Sequence, residues 1–312
     1  MDLLKEAQKN TPKKTKKYSF FYKFLSMLSV VRGYNIFIIV LAQYLAAIFI
    51  FSPEKSLKDI LFDIDLYFIV LATICVIAAG YIINNFYDAE KDQINKPIKS
   101  KIDSIVSQKT KLNIYFLLNF VGVAIAFLVS WRAALFFSVY IFLIWIYSHK
   151  LKRYPLLGLF SAATLALLPF FAIFVYYKNF STIIFTHALF LFLVLMIKEL
   201  VKDLENIKGD VAQNYQTIPV KYGEYFTKLL ITILVIFTLD PIYFISKYPE
   251  IGKMMYYFYF AGISLIVFLV FLWKAKTKKD YIILHNIIKL IIVIGVLSLM
   301  LIDTSVIIKR LL

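Results

Sequence analysis

Cysteine is nearly absent from this chain. Cys75 is the sole copy in 312 residues and lies inside an apolar run, so no disulfide framework can form within one chain and no redox compartment is marked. Histidine is almost as scarce, with three copies. Any metal chemistry must therefore rest on oxygen donors, which suits a hard cation. Acids are outnumbered, 19 against 35 basic residues, for a formal net charge of +16. In a soluble chain that balance points to nucleic acid. Here the basic residues gather between apolar segments, which is the pattern of membrane topology. The first apolar run is not closed by a small-residue cleavage site although Lys13, Lys14, Lys16 and Lys17 precede it, and it reads as a retained span rather than a signal peptide.

What remains is hydrophobic. Such residues fill 61% of positions, and aromatics 18%, beyond the roughly half-apolar composition of a soluble domain. Apolar segments fall at 34–52, 66–87, 112–131, 132–147, 155–177, 181–200, 226–247, 254–273 and 281–303. Most approach the ~20 residues that cross ~30 Å of hydrocarbon. The expected protein is all-α, with nine transmembrane helices over residues 31–312, preceded by a basic segment at 1–30. The third and fourth spans meet at Trp131-Arg132.

Lysine and arginine counts orient the spans. The loops at 88–111, 148–154, 198–225 and 274–280 are Lys-rich, whereas at the other ends Lys55 and Lys58 face Glu54, Asp59, Asp63 and Asp65. The positive-inside rule then puts the N-terminus and the Lys-rich loops in the cytoplasm of a multi-pass protein of the cell membrane. Lys309-Arg310 at the opposite end is a minor exception.

Two acidic clusters share the Lys-rich side. In YIINNFYDAEKDQINKP, Asn85, Asp88 and Asp92 are spaced 0, 3 and 7, and in KELVKDLENIKGD so are Asp203, Asn206 and Asp210. On a helix, that spacing keeps each trio within roughly 60° of arc. One such cluster is ordinarily a solvated helix end. Two at identical spacing on one side of a membrane suit facing stripes of carboxylate and amide oxygens around Mg²⁺ and phosphate oxygens, with Lys or Arg taking up the remaining phosphate charge.

These stretches resemble the UbiA-type intramembrane prenyltransferases. Asn84 to Asp92 followed by Asn95-Lys96-Pro97 is similar to the family's first aspartate signature, NDxxDxxxD with N[RK]P, and KDLENIKGD to its second. Arg32-Gly33-Tyr34-Asn35 resembles the RPxN start of the first span. Tyr147 to Arg153 resembles the YSxxLKR element, and Thr217 to Gly223 the TLPxxxG stretch. The family usually has Asp where Asn85 and Asn206 stand, Pro at Gly33 and Asn at Leu159.

The resemblance implies a nine-span fold and Mg²⁺-dependent transfer of an isoprenoid from a prenyl diphosphate to a lipophilic acceptor, within the bilayer and with no role for nucleic acid. It implies metal binding by Asn85, Asp88, Asp92, Asp203, Asn206 and Asp210, with Asp88, Asp92, Asp203 and Asp210 carrying the catalysis. Lys96, Lys150, Arg153 and Lys202 become candidates for the diphosphate, and Arg32, Asn35, Asn84 and Tyr147 for substrate contact. Lys150, Lys152 and Arg153 also read as ordinary positive-inside anchors. His285 and Lys289, one turn apart in the last span, either line a polar cavity or pack inside. For the acceptor, the second motif with Lys198 and Glu199 before it is most similar to the branch that prenylates a glycerol-phosphate ether lipid. Enzymes that prenylate hydroxybenzoate or dihydroxynaphthoate in quinone pathways share the metal machinery, and a non-catalytic prenyl-lipid binder or carrier is the remaining reading.

Overall fold

The computed structural model describes residues 19–303. The basic cluster at 13–17 and Lys309-Arg310 lie outside the described residues. Within them the chain forms a bundle of helices. A short helix, α1 (Phe20–Val30), leads into α2 (Gly33–Ala46, continued by a π-turn over Ala47–Phe51), the short α3 (Leu57–Leu61) and α4 (Ile64–Tyr87). Two small helices follow, α5 (Ala89–Asn95) and α6 (Pro97–Asp103), and then α7 (Gln108–Val129), α8 (Trp131–His149) and α9 (Pro155–Tyr177). The bundle closes with α10 (Thr182–Ala212), α11 (Ile218–Ile245), α12 (Met255–Lys274) and α13 (Lys278–Ser298). Among the described residues nine helices are long and apolar enough to cross a membrane, matching the nine expected spans.

Several of the expected boundaries change; the helices of the third and seventh spans begin earlier than expected, at Gln108 and Ile218. The third and fourth spans separate at Ser130, whose extended backbone ends α7 and whose side chain accepts from the Ala133 amide to start α8. The sixth apolar run, expected to stop near residue 200, continues as one helix to Ala212. Its charged end stays helical because α5 and α11 pack against it.

The segment expected as a plain basic N-terminal stretch contains α1, which is moored to α6. Ser26 donates to the Ile102 carbonyl at 2.8 Å and Ser29 to Asp103 at 2.7 Å. Phe20, Phe21, Tyr22 and Phe24 are exposed on this helix, as expected of a helix lying in a lipid interface.

Burial ranks the spans. In α4, 67% of the apolar window is buried, and in α10 56%, against 17% in α7. The helices bearing the two acidic motifs are therefore the central ones, and α7 turns Phe116, Leu117, Phe120 and Phe127 outwards. Polar groups inside the bundle are mostly paired, as a hydrocarbon surrounding demands. Pro169 removes an amide from the middle of α9, and the Leu165 carbonyl so freed accepts from the Tyr140 hydroxyl at 2.9 Å. Gln43 donates to Thr73 at 3.1 Å and to the Pro169 carbonyl at 3.0 Å.

Candidate active site

The site lies where α4 gives way to α5, opposite the last turns of α10. Asp88 is the hinge, with φ −92° and ψ 5°, outside the helical region. That break separates the three residues of the first motif. Asp88 is buried and faces α10, whereas Asn85 is turned towards α6 and α7: its amide donates to Asp103 at 3.0 Å and its oxygen accepts from Lys111 at 2.9 Å. With both ends of its amide engaged in this cluster, Asn85 does not join the other motif residues as the spacing suggested. Asp92 lies on α5, half-buried.

Asn95 fastens the two motifs together. Its amide donates to the Asn206 carbonyl at 3.2 Å and its oxygen accepts from the Gly209 amide at 3.1 Å. Gly209 is required for this approach, since a Cβ there would overlap the Asn95 side chain. Pro97 then occupies the first turn of α6, where its missing amide costs nothing.

Lysines fill the space between the acids. Lys91 lies 3.6 Å from Asp88 and 3.2 Å from Asp210, and so bridges the two helices. Lys152 reaches Asp88 at 2.8 Å and Asn84 at 3.3 Å. Burial would push the Asp88 carboxyl up, but Lys152 and Lys91 overcome it and hold the group well below the usual carboxylate range. Burial likewise works against the Lys91 charge, and Asp88 and Asp210 reverse it, holding the ammonium above the usual lysine range. Tyr215 completes the wall by donating to Asp88 at 3.2 Å, with the Lys91 nitrogen 4.5 Å from its ring centre. Burial and the Asp88 charge push its phenol up to about 12.

On α10, Asp210 accepts from Thr217 at 3.3 Å, and Asn206 is buried with its side-chain oxygen unpartnered. Asp203, Glu199, Tyr147 and Lys152 line one cleft together with Thr217 and Leu159. Lys202 pairs with Glu199.

Several expected residues sit elsewhere. Lys150 is exposed; the turn over Leu151–Arg153 directs Lys152 inwards instead. Arg153 is exposed and stacks over Tyr215 at 5.4 Å. Lys96 lies 3.9 Å from Glu205 and makes no ion pair with Asp88 or Asp210. Arg32 stands 5.2 Å from the ring centre of Tyr81, which accepts from Asn35 at 3.2 Å. His285 packs inside against Glu205 at 2.8 Å.

Sequence reasoning missed Lys91 as a bridging group and Tyr215. Lys91 lay in plain view within the first motif, between two acids. Tyr215 carries no comparable signal beyond its place five residues after Asp210.

Among the described residues no three His, Cys, Asp or Glu side chains converge around a single point. The donor chemistry nonetheless fits a hard cation. Every donor is an oxygen, the acids stand on facing helices, and the unpartnered buried oxygen of Asn206 adjoins them.

Buried acids and lysines thus gather at one end of a membrane-protein bundle in which, among the described residues, nine helices are long and apolar enough to span a bilayer. Residues 40–288 match the model of the UbiA prenyltransferase family. The chain belongs to this family and is an integral membrane prenyltransferase. It is 27% identical over 253 residues to the digeranylgeranylglyceryl phosphate synthase of Methanobrevibacter smithii, covering 78% of this chain and 84% of that protein. The enzyme of the same name from Methanosphaera stadtmanae is 30% identical over 55% of this chain and 64% of its own length. A solved structure concerned with digeranylgeranylglyceryl phosphate synthase in membranes shares the fold with a TM-score of 0.68 at 20% identity, covering 89% of this chain and 97% of that one. A UbiA homologue from Archaeoglobus fulgidus bound to GPP and Mg²⁺ does so with a TM-score of 0.60 at 13% identity, covering 88% and 99%.

Proposed function

We propose that this enzyme transfers an isoprenoid from its diphosphate to the free hydroxyl of a glycerol-phosphate ether lipid that already bears one isoprenoid chain. The observation that carries the reading is the clamp of Asn95 on α10, which holds two acid-bearing helix ends against each other with Lys91 and Lys152 between them. The relatives named digeranylgeranylglyceryl phosphate synthase support the choice of acceptor.

The reaction asks several things of the residues. The allylic C–O bond breaks and its electron pair leaves with the diphosphate; the acceptor oxygen supplies the pair of the new C–O bond and gives up its proton to an oxygen of the departing diphosphate. Lys91, Lys152 and Lys202 offer positive charge to the leaving diphosphate, where it develops in a site shielded from water. Asp88, Asp92, Asp203, Asp210 and the oxygen of Asn206 would hold Mg²⁺, which would supply further neutralisation of phosphate charge. Tyr215 and Asn84 position Asp88 and Lys152. The apolar walls of the bundle exclude water from the cation and accommodate the prenyl tail.

The Lys-rich loops favour a cytoplasmic location for this polar end, in the cell membrane. Cysteine labels placed in the loops at 99–109 and 274–279 are expected to react from the cytoplasmic side alone, and labelling from outside would reverse the topology. For the chemistry, purified protein is incubated with prenyl diphosphates of several lengths, Mg²⁺ and an acceptor panel, with products identified by mass spectrometry. Transfer to the phosphorylated ether lipid is expected. Transfer only to 4-hydroxybenzoate or 1,4-dihydroxy-2-naphthoate, or to no acceptor, would overturn the reading.

A further inference from the structure

The acids account for only half of the polar surface that α10 presents. Glu199, Asp203, Asn206 and Asp210 fall within about 60° of arc. Beside them Lys198, Lys202 and Glu205, spaced 0, 4 and 7, form a second stripe of similar width. This second stripe meets different partners. His285 on α13 holds Glu205 at 2.8 Å, and Lys96, at the break between α5 and α6, approaches the same carboxylate at 3.9 Å. Lys289 shares the face of His285, one turn further along α13. Arg32, held at φ 51° where α1 joins α2, completes the corner.

Positive charge here exceeds what the acids offset. Glu199 is shared by Lys198 and Lys202, and Glu205 by His285 and Lys96. Among the described residues, Arg32 and Lys289 have no carboxylate within ion-pair distance. Both are half-buried, and Lys289 stands near Glu205 as well as near Arg32, Lys198 and Lys202. The Lys96 ammonium is pushed down by burial, Glu205 opposes the shift, and the nearby Arg32 and Lys202 charges add to it. Cations brought together at such a cost, with hydrogen-bond donors to spare, suit a dianion of phosphate size, and the Arg32 guanidinium can engage two of its oxygens at once.

We infer that the corner between α2, α10 and α13 is a second anion site, distinct from the diphosphate site, which takes the phosphate monoester of the acceptor through Arg32, Lys96, Lys198 and Lys289. The assignment rests on the proposed acceptor class. Lys202, on the edge of the second stripe nearest the acids, separates the diphosphate from the headgroup. Two phosphate-bearing substrates are thereby held on adjacent faces of one helix. Lys96, expected from sequence to bind the diphosphate, belongs to this second group.

The test is equilibrium binding by full-length protein in detergent, without prenyl diphosphate. The probes are a glycerol-phosphate ether lipid with one isoprenoid chain, the same lipid lacking phosphate, and inorganic phosphate. The phosphorylated lipid is expected to bind roughly tenfold or more tightly than its dephosphorylated form. Lys289→Gln and Arg32→Gln should each abolish most of that preference, and Lys289→Arg should retain it. Asp210→Asn, on the acidic stripe, should weaken prenyl diphosphate binding and not lipid binding. Unchanged preference in both glutamine variants would overturn the site, as would inorganic phosphate binding as tightly as the lipid. Should the preference behave as expected while no product forms, the site stands and the proposed activity falls. Should product form with an acceptor KM indifferent to both variants, the activity stands and the site falls.

Discussion

Asn85 and Asn206 occupy the same place in two copies of one spacing and sit in opposite surroundings. Asn85 lies just before the Asp88 hinge, and its amide is consumed by Asp103 and Lys111. Asn206 lies in an unbroken helix, buried beside Asp210 with its oxygen unpartnered. Equal spacing therefore does not give equal roles, because the stripe survives only where the helix does. The first asparagine ties α4 to the α6–α7 connection. The second is left available to a ligand.

The largest expected effect lies with the acids that flank both asparagines. Asp88→Asn or Asp210→Asn is expected to lower turnover on the order of 100-fold or more, measured as initial rate of prenyl transfer, because either change removes a charge that both Lys91 and a cation would use. Asp88 also has a pH signature. Its folded-state carboxyl lies below the usual range, so its contribution to stability is fully present above about pH 4 and is lost as pH falls further. The difference in thermal stability between wild type and Asp88→Asn should thus stay constant from pH 7 to about pH 5 and shrink only below about pH 4.

Next in size is the clamp. Gly209→Ala drives a methyl group into the Asn95 amide and is expected to cost about 1–3 kcal/mol in stability, read by thermal denaturation in detergent, together with loss of activity as the motifs part.

Two smaller effects sharpen the contrast directly. Asn85→Ala leaves Asp103 and Lys111 without their shared partner and should cost about 1–3 kcal/mol in stability, while the Mg²⁺ concentration for half-maximal rate stays unchanged. Asn206→Asp should leave stability nearly intact and lower that Mg²⁺ concentration a fewfold, since it adds charge to an available oxygen. A shift of Mg²⁺ requirement in Asn85→Ala, with none in Asn206→Asp, would erase the distinction.

Much of the fold was legible in the sequence because a membrane span is written in local composition. Each of the nine apolar runs corresponds to a helix; the boundary at Ser130 is set by a single capping residue, and the extension of α10 to Ala212 by packing against α5 and α11. The acids were legible through their repeated spacing. Their surroundings were not, because these depend on contacts between residues far apart in the chain. Asn95 meets Gly209 across 114 positions, and Lys152 meets Asp88 across 64. Whether Lys150 or Lys152 turns inwards is set by one tight turn, which composition does not encode. The second stripe on α10 was present in the sequence as Lys198, Lys202 and Glu205, but acids and bases interleaved along one helix separate only when their angular positions are compared and the neighbouring helices are known.

The proposed chemistry requires the two motifs to act together on one metal-bound diphosphate. It is tested most directly by equilibrium binding of a non-reactive prenyl thiodiphosphate analogue to the full-length protein across a Mg²⁺ titration, in wild type, Asp88→Asn and Asp210→Asn. Binding to wild type is expected to require Mg²⁺ and to vanish with chelator, and each substitution should shift the Mg²⁺ dependence to higher concentration by at least about tenfold. Binding that is indifferent to chelator, or that responds to one of the two acids and not the other, would contradict it.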